Sequence, residues 1–261
     1  MRMLIAGGWA LLLLCAFASL PEARAQEDWK AMLEKKTFTD KDGKTQQYRL
    51  MKPDNYDPQT KYPLVLFLHG AGECGKDNEK QLVHGVAEFA KEGNRKKHPC
   101  FLIAPQCPNM KLGWSDFRAK PGTSAKGQSE PGRLAVELVE SIQKEYSIDP
   151  NRLYITGLSM GGFGTWDIIT RHPDMFAAAV PICGGGDPTK ADKIAKLPIW
   201  VFHGGADNVV NPERSREMVE AIKKAGGNAK YTEYPKVGHN SWVKAYQDAD
   251  MHNWLFEQKR K

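Results

Sequence analysis

The chain has 261 residues, 41% hydrophobic and 26% charged, which is enough apolar content for one sizeable core and excludes disordered, collagen-like and coiled-coil chains. Its formal charge of +6 comes from Lys and Arg scattered among Asp and Glu, without the basic stripe of a nucleic-acid binder.

In chain order, the first segment reads as an export signal. Arg2 precedes an apolar stretch from Leu4 to Leu20, and Ala23-Arg24-Ala25 fits the small-x-small cleavage rule, so residues 1–25 are expected to be removed before Gln26. The expected mature chain, residues 26–261, is secreted or periplasmic, has a charge of +5 and keeps no stable membrane association. Cys15 leaves with the signal. Cys74, Cys100, Cys107 and Cys183 remain, in a compartment where disulfides persist. They form no C-x-x-C and no His stands at ligand spacing from a Cys pair, so no metal site is expected. Cys74 and Cys107 follow the ends of strands expected to be neighbours and are the favoured bridge. Cys100 and Cys183, in or beside apolar runs, read as buried thiols.

Residues 27–37 are expected to form a short N-terminal helix, and residues 45–51 an early antiparallel strand. The runs at 63–68 and 100–104 are continuously apolar, as strands covered on both faces should be. Residues 152–156, 177–180, 199–202 and 230–234 continue the series. Leu134, Leu138, Ile142 and Tyr146 recur at helical spacing after Pro131, and a second helix over 212–225 opens with Pro and stops at Gly226-Gly227. Strands alternating with helices specify one α/β domain: a mostly parallel central sheet with helices on both faces. Residues 109–131, rich in Gly, Pro, Ser and Lys, form the longest loop and a candidate flap beside the substrate.

The strongest chemical signal is Gly157-Leu158-Ser159-Met160-Gly161, which lies between a predicted strand and a predicted helix, the setting of a nucleophile elbow. A serine hydroxyl needs a histidine to take its proton and a carboxylate to orient that histidine. Asp207 follows the strand at 199–202 and is favoured over Asp187 and Asp192. His239 falls in a loop after Asp207, whereas His69 and His203 end strands, His98 and His172 precede prolines, and His84 and His252 lie in helical stretches. The oxyanion donors are expected to be the amides of Met160 and of Ala71, in the glycine-rich loop His69-Gly70-Ala71-Gly72-Glu73. Glu73 and Asp77 read as exposed loop carboxylates, with contact to a hydrophilic substrate as the alternative, and Trp114 and Trp242 as aromatic candidates for the substrate wall.

The set Leu68-His69-Gly70-Ala71-Gly72-Glu73, Ala104-Pro105-Gln106-Cys107-Pro108, Gly157-Leu158-Ser159-Met160-Gly161-Gly162, His203-Gly204-Gly205-Ala206-Asp207 and Gly238-His239 resembles the secreted esterase branch of the α/β-hydrolase superfamily, labelled carboxylesterase/phospholipase or predicted peptidase. The resemblance implies the α/β-hydrolase fold, with Ser159 as nucleophile, Asp207 and His239 as its partners, and Ala71 with Met160 as oxyanion donors. It calls for no cofactor. Only about 15 residues, 183–197, stand where relatives insert a lid, so no cap domain is expected, and the open site suits short-chain, aromatic or polymer-attached esters such as feruloyl or acetyl esters. The expected partner is a small-molecule or polymer-attached ester, with no nucleic acid. A serine peptidase of prolyl-oligopeptidase-like type would use the same triad, and a catalytically silent binding module is the non-enzyme alternative. A dienelactone-hydrolase-type enzyme would carry Cys at the elbow, where this chain has Ser159.

Overall fold

The computed structural model describes residues 29–116 and 127–260; the expected signal, residues 1–25, and part of the expected flap, residues 117–126, lie outside them. The described residues form eight strands: β1 (Leu33–Thr39), β2 (Thr45–Met51), β3 (Tyr62–Leu68), β4 (Phe101–Pro105), β5 (Ile148–Leu158), β6 (Ala178–Ile182), β7 (Trp200–Gly204) and β8 (Lys230–Tyr234). They join in one sheet of order β1-β2-β4-β3-β5-β6-β7-β8. The β1–β2 and β2–β4 pairs are antiparallel and all others parallel.

Seven α-helices accompany the sheet: α1 (Val86–Ala90), α2 (Glu92–Lys97), α3 (Glu130–Glu145), α4 (Met160–Arg171), α5 (Glu213–Lys224), α6 (Trp242–Gln247) and α7 (Ala249–Glu257). Alternation along the strands builds a core on each face. Leu64, Leu66, Leu68, Phe101, Ile103 and Ile155 point to one side, with Leu138 and Ile142 of α3, Trp166 of α4 and Met218 of α5. Val65, Phe67, Leu102, Ala104 and Tyr154 point to the other, with Phe89 of α1, Tyr246 of α6 and Leu255 of α7. Each fully buried aliphatic side chain contributes about 1.5–3 kcal/mol, so a sheet covered on both faces makes a rigid platform. The α3 helix starts where its sequence says it should: Pro131 sits in the first turn, and Ser129 caps it by accepting from the Gly132 amide at 3.2 Å.

The N-terminal expectation is corrected. Instead of a helix over 27–37, a 3₁₀ turn (Trp29–Met32) leads into β1, which pairs with β2 from Leu33↔Met51 to Thr39↔Thr45. Lys35 and Lys36 stand on this edge strand, where charge discourages pairing with another chain. Between β6 and β7 there is only a 3₁₀ stretch, Pro188–Ile194, and no segment of lid size. Among the described residues no helix is long and apolar enough to cross a membrane.

Candidate active site

Parallel pairing of β3, β5, β6, β7 and β8 brings the loops after their C-terminal ends to one edge, the usual binding edge of such sheets. Ser159 stands between β5 and α4 with φ 53° and ψ −117°, a strained backbone for a residue with a side chain. The turn closes because its neighbours lack side chains. A Cβ on Gly161 would lie 2.0 Å from the Leu68 carbonyl oxygen, and one on Gly157 would lie 2.4 Å from that of Gly161. The Ser159 amide donates to the Ile182 carbonyl at 2.9 Å, which ties the elbow to β6.

Asp207 and His239 meet this serine from the loops after β7 and β8. His239 Nδ1 donates to Asp207 Oδ2 at 2.7 Å, and its Nε2 lies 2.9 Å from Ser159 Oγ, placed to accept the hydroxyl proton. Asp207 Oδ1 accepts from the amides of Val209 and Val210 at 2.8 and 3.0 Å. Burial alone would push the Asp207 carboxyl up, but the hydrogen bonds from His239 and these two amides outweigh it and hold it below the usual carboxylate range. His203 lies 3.2 Å from Asp207 Oδ2 and donates from Nε2 to the Val210 carbonyl, bracing the same loop. Asp187 instead caps its own 3₁₀ turn through the Thr189 amide.

The loop after β3 is held by contacts that motif reading did not supply. His69 accepts the Cys107 amide at Nε2 (2.9 Å) and donates from Nδ1 to the Gly70 carbonyl (2.6 Å). In a trans peptide the Gly70 carbonyl and the Ala71 N–H point in opposite directions from one plane, so fixing the first aims the second. Burial pushes the His69 imidazole down to about 4, so it is neutral, as this pair of bonds requires. Gln106 donates to the Glu73 carbonyl and to Asp77 Oδ1 at 3.1 and 2.9 Å, and accepts the Asn78 amide at 2.7 Å. Asp77 also takes the Glu79 and Lys80 amides, and these bonds hold its carboxyl well below the usual range. The Met160 amide opens α4 beside Ser159, where a helix has no carbonyl of its own to offer.

Trp114, expected on the substrate wall, is 0% exposed. Its indole N–H donates to the His69 carbonyl at 2.9 Å and its ring meets the His69 ring edge-on, so it supports the loop from within the core. Trp242 remains at the site, its ring centroid 5.3 Å from that of His239. Glu73 is only 8% exposed, folded beneath its own loop. The Cys74–Cys107 bridge is not formed: all four described cysteines are thiols, and Cys107 Sγ donates to the Asn109 carbonyl at 3.3 Å. The neighbouring Cys107 draws the Cys74 thiol down, and Cys74 together with burial pushes Cys107 up. No group of three or more His, Cys, Asp or Glu side chains among the described residues is placed to hold a metal ion.

A model of the dienelactone hydrolase family matches residues 122–253, the stretch that holds Ser159, Asp207 and His239. The chain belongs to this family. Within the dienelactone hydrolase family its elbow residue is serine, where the sequence expectation for such an enzyme was cysteine. A solved thermostable esterase is 42% identical with a TM-score of 0.83, over 88% of this chain and 64% of that one. Poly(3-hydroxyalkanoate) depolymerase C of Paucimonas lemoignei is 33% identical over 60% of this chain and 44% of its own. A probable carboxylesterase of Oryza sativa subsp. japonica is 29% identical over 71% and 78%. The chain thus spans less than two thirds of the length of the first two. These relationships place it in an esterase branch of the α/β-hydrolase superfamily.

Proposed function

We propose that the chain is an exported serine esterase that works through an acyl-enzyme on short-chain, aromatic or polymer-attached esters. The observation that carries this reading is the continuous relay from Ser159 Oγ through His239 to Asp207, at 2.9 and 2.7 Å. Ser159 attacks the ester carbonyl as His239 Nε2 takes its proton, and the amides of Ala71 and Met160 receive the oxyanion. The charge that develops on His239 is met by Asp207, whose other oxygen is already fixed by two amides. His239 then protonates the departing alcohol, and water, activated by the same imidazole, releases the acid and restores Ser159. No step needs a cofactor.

The short β6–β7 connection supports an open site, and the depolymerase among the relatives is named for a polymeric ester. Export rests on residues 1–25, with cleavage before Gln26 leaving one catalytic domain, 26–261. The test is turnover of nitrophenyl esters from acetyl to palmitoyl, methyl ferulate and a peptide anilide, by the wild type and Ser159→Ala. Ser159-dependent turnover of short or aromatic esters is expected; anilide cleavage with little ester turnover would instead make the chain a peptidase.

A further inference from the structure

We propose that His203 is a positioning residue for acyl transfer: its Nε2–H fixes the same Asp207 oxygen that His239 uses and takes a share of its charge, while Ser215 keeps that proton on Nε2. The proposal rests on the acyl-transfer reading of Ser159, His239 and Asp207.

His203 stands in β7, one residue from its end, and is 0% exposed. Its Nε2 faces two groups that can only accept, the Val210 carbonyl at 3.0 Å and the Asp207 carboxylate Oδ2 at 3.2 Å. A bare nitrogen there would set lone pair against lone pair on both sides, so Nε2 carries the proton. Nδ1 must then accept, and the Ser215 hydroxyl lies 2.7 Å away to donate. The same hydroxyl is 3.1 Å from the Gly184 carbonyl, so ring and carbonyl compete for one proton, and the shorter contact favours the ring. Burial pushes the imidazole below its ordinary value, against the pull of the Val210 carbonyl and Asp207, and keeps it neutral at neutral pH.

Asp207 thereby receives four N–H groups: the Val209 and Val210 amides on Oδ1, and the His239 and His203 rings on Oδ2. A carboxylate offers about four acceptor positions, so this one is filled and held against rotation. Val210 is gripped twice, its amide by Oδ1 and its carbonyl by His203, which ties the loop after β7 to the strand itself. Without the His203 N–H, Oδ2 would answer to His239 alone. That bond would tighten, and the carboxylate would lose one of the contacts that set its plane and so aim His239 Nε2 at Ser159. Acylation and deacylation both pass through that aim, so the defect falls on turnover rather than on substrate binding.

The test separates the two ring nitrogens. Glutamine carries an N–H as far from the backbone as Nε2, whereas asparagine reaches only as far as Nδ1. On nitrophenyl acetate, His203→Asn should lower kcat by about tenfold with little change in KM, the effect of losing one hydrogen bond to a charged group. His203→Gln should recover most of the rate. Circular dichroism confirms that each variant is folded. The His239 Nδ1–H proton, bonded to a carboxylate, is also followed by low-field proton NMR, and its signal should move further downfield in His203→Asn and stay in place in His203→Gln. Ser215→Ala deletes one hydroxyl and leaves the ring, so it keeps the test open if His203→Asn does not fold; it should lower kcat and move the signal in the same direction as His203→Asn. Equal kcat in the Asn and Gln variants overturns the proposal, and so does an unmoved signal in His203→Asn or in Ser215→Ala. The NMR measurement is repeated in Ser159→Ala. Ester turnover surviving in that protein would refute the acyl-transfer reading, while its low-field signal would still judge the place of His203 on Asp207.

Discussion

Lowering the pH should destabilise the fold through His69. Both of its nitrogens are committed as a neutral ring: Nδ1 donates to the Gly70 carbonyl and Nε2 accepts the Cys107 amide. A proton on Nε2 would set one N–H against another in a site closed to water, and burial accordingly brings the group from its ordinary 6.5 down to about 4. Because the folded pKa of this base is depressed, the unfolded chain binds more protons between those values, and stability rises with pH there. The contribution is present in full above about pH 6.5, fades as pH falls toward 4 and is constant below that. The whole window is worth about 3 kcal/mol, and about 2 kcal/mol is lost between about pH 7 and pH 4.5. Glutamine can donate and accept at once without titrating, so His69→Gln isolates the effect from the other ionisable groups. Urea unfolding of the two proteins at each pH should show the wild type losing about 2 kcal/mol more than the variant. Equal losses would refute the claim that this imidazole is held neutral. Independently, His69→Ala frees the Gly70–Ala71 peptide and should lower kcat more than it raises KM.

Asp207→Asn should reduce kcat by about 10³–10⁴-fold with the fold intact, because an amide facing His239 Nδ1 favours the wrong tautomer; steady-state kinetics beside circular dichroism checks this. Trp114→Phe removes the N–H bonded to the His69 carbonyl and leaves a cavity in place of half of a fully buried indole, so thermal unfolding should show a loss of about 2–4 kcal/mol while KM for different acyl groups keeps its order. A changed order would return Trp114 to the substrate wall. Under oxidised glutathione, the half-buried Cys74 thiol, drawn down by the neighbouring Cys107, should form a mixed disulfide that Cys107 resolves into an internal bridge. Non-reducing peptide mapping reads it; a glutathione adduct that persists on Cys74 would mean the two sulfurs cannot meet.

Much of this architecture can be read from residues because the central strands are buried on both faces and announce themselves as apolar runs. The edge strand β1 does not. Leu33-Glu34-Lys35-Lys36-Thr37-Phe38-Thr39 has one buried residue, and only pairing with β2, a non-local contact, decides between helix and strand. Ser159, Asp207 and His239 stand out because each follows a recognisable strand, and the parallel order of the sheet does the rest. The supports of the loop after β3 were hidden. Whether Trp114 faces substrate or core depends on where residues 109–116 pack, and whether Glu73 is exposed depends on the turn folding its side chain into the space left by Gly70. Both are decided by tertiary contacts that motif spacing does not carry.

The central claim is that Ser159 is the nucleophile. Reaction of the mature protein with a fluorophosphonate, followed by intact mass measurement and peptide mapping, should give a single adduct on Ser159, with parallel loss of ester turnover and no labelling of Ser159→Ala. Labelling at another residue, or ester turnover that survives in a well-folded Ser159→Ala protein, would contradict the account.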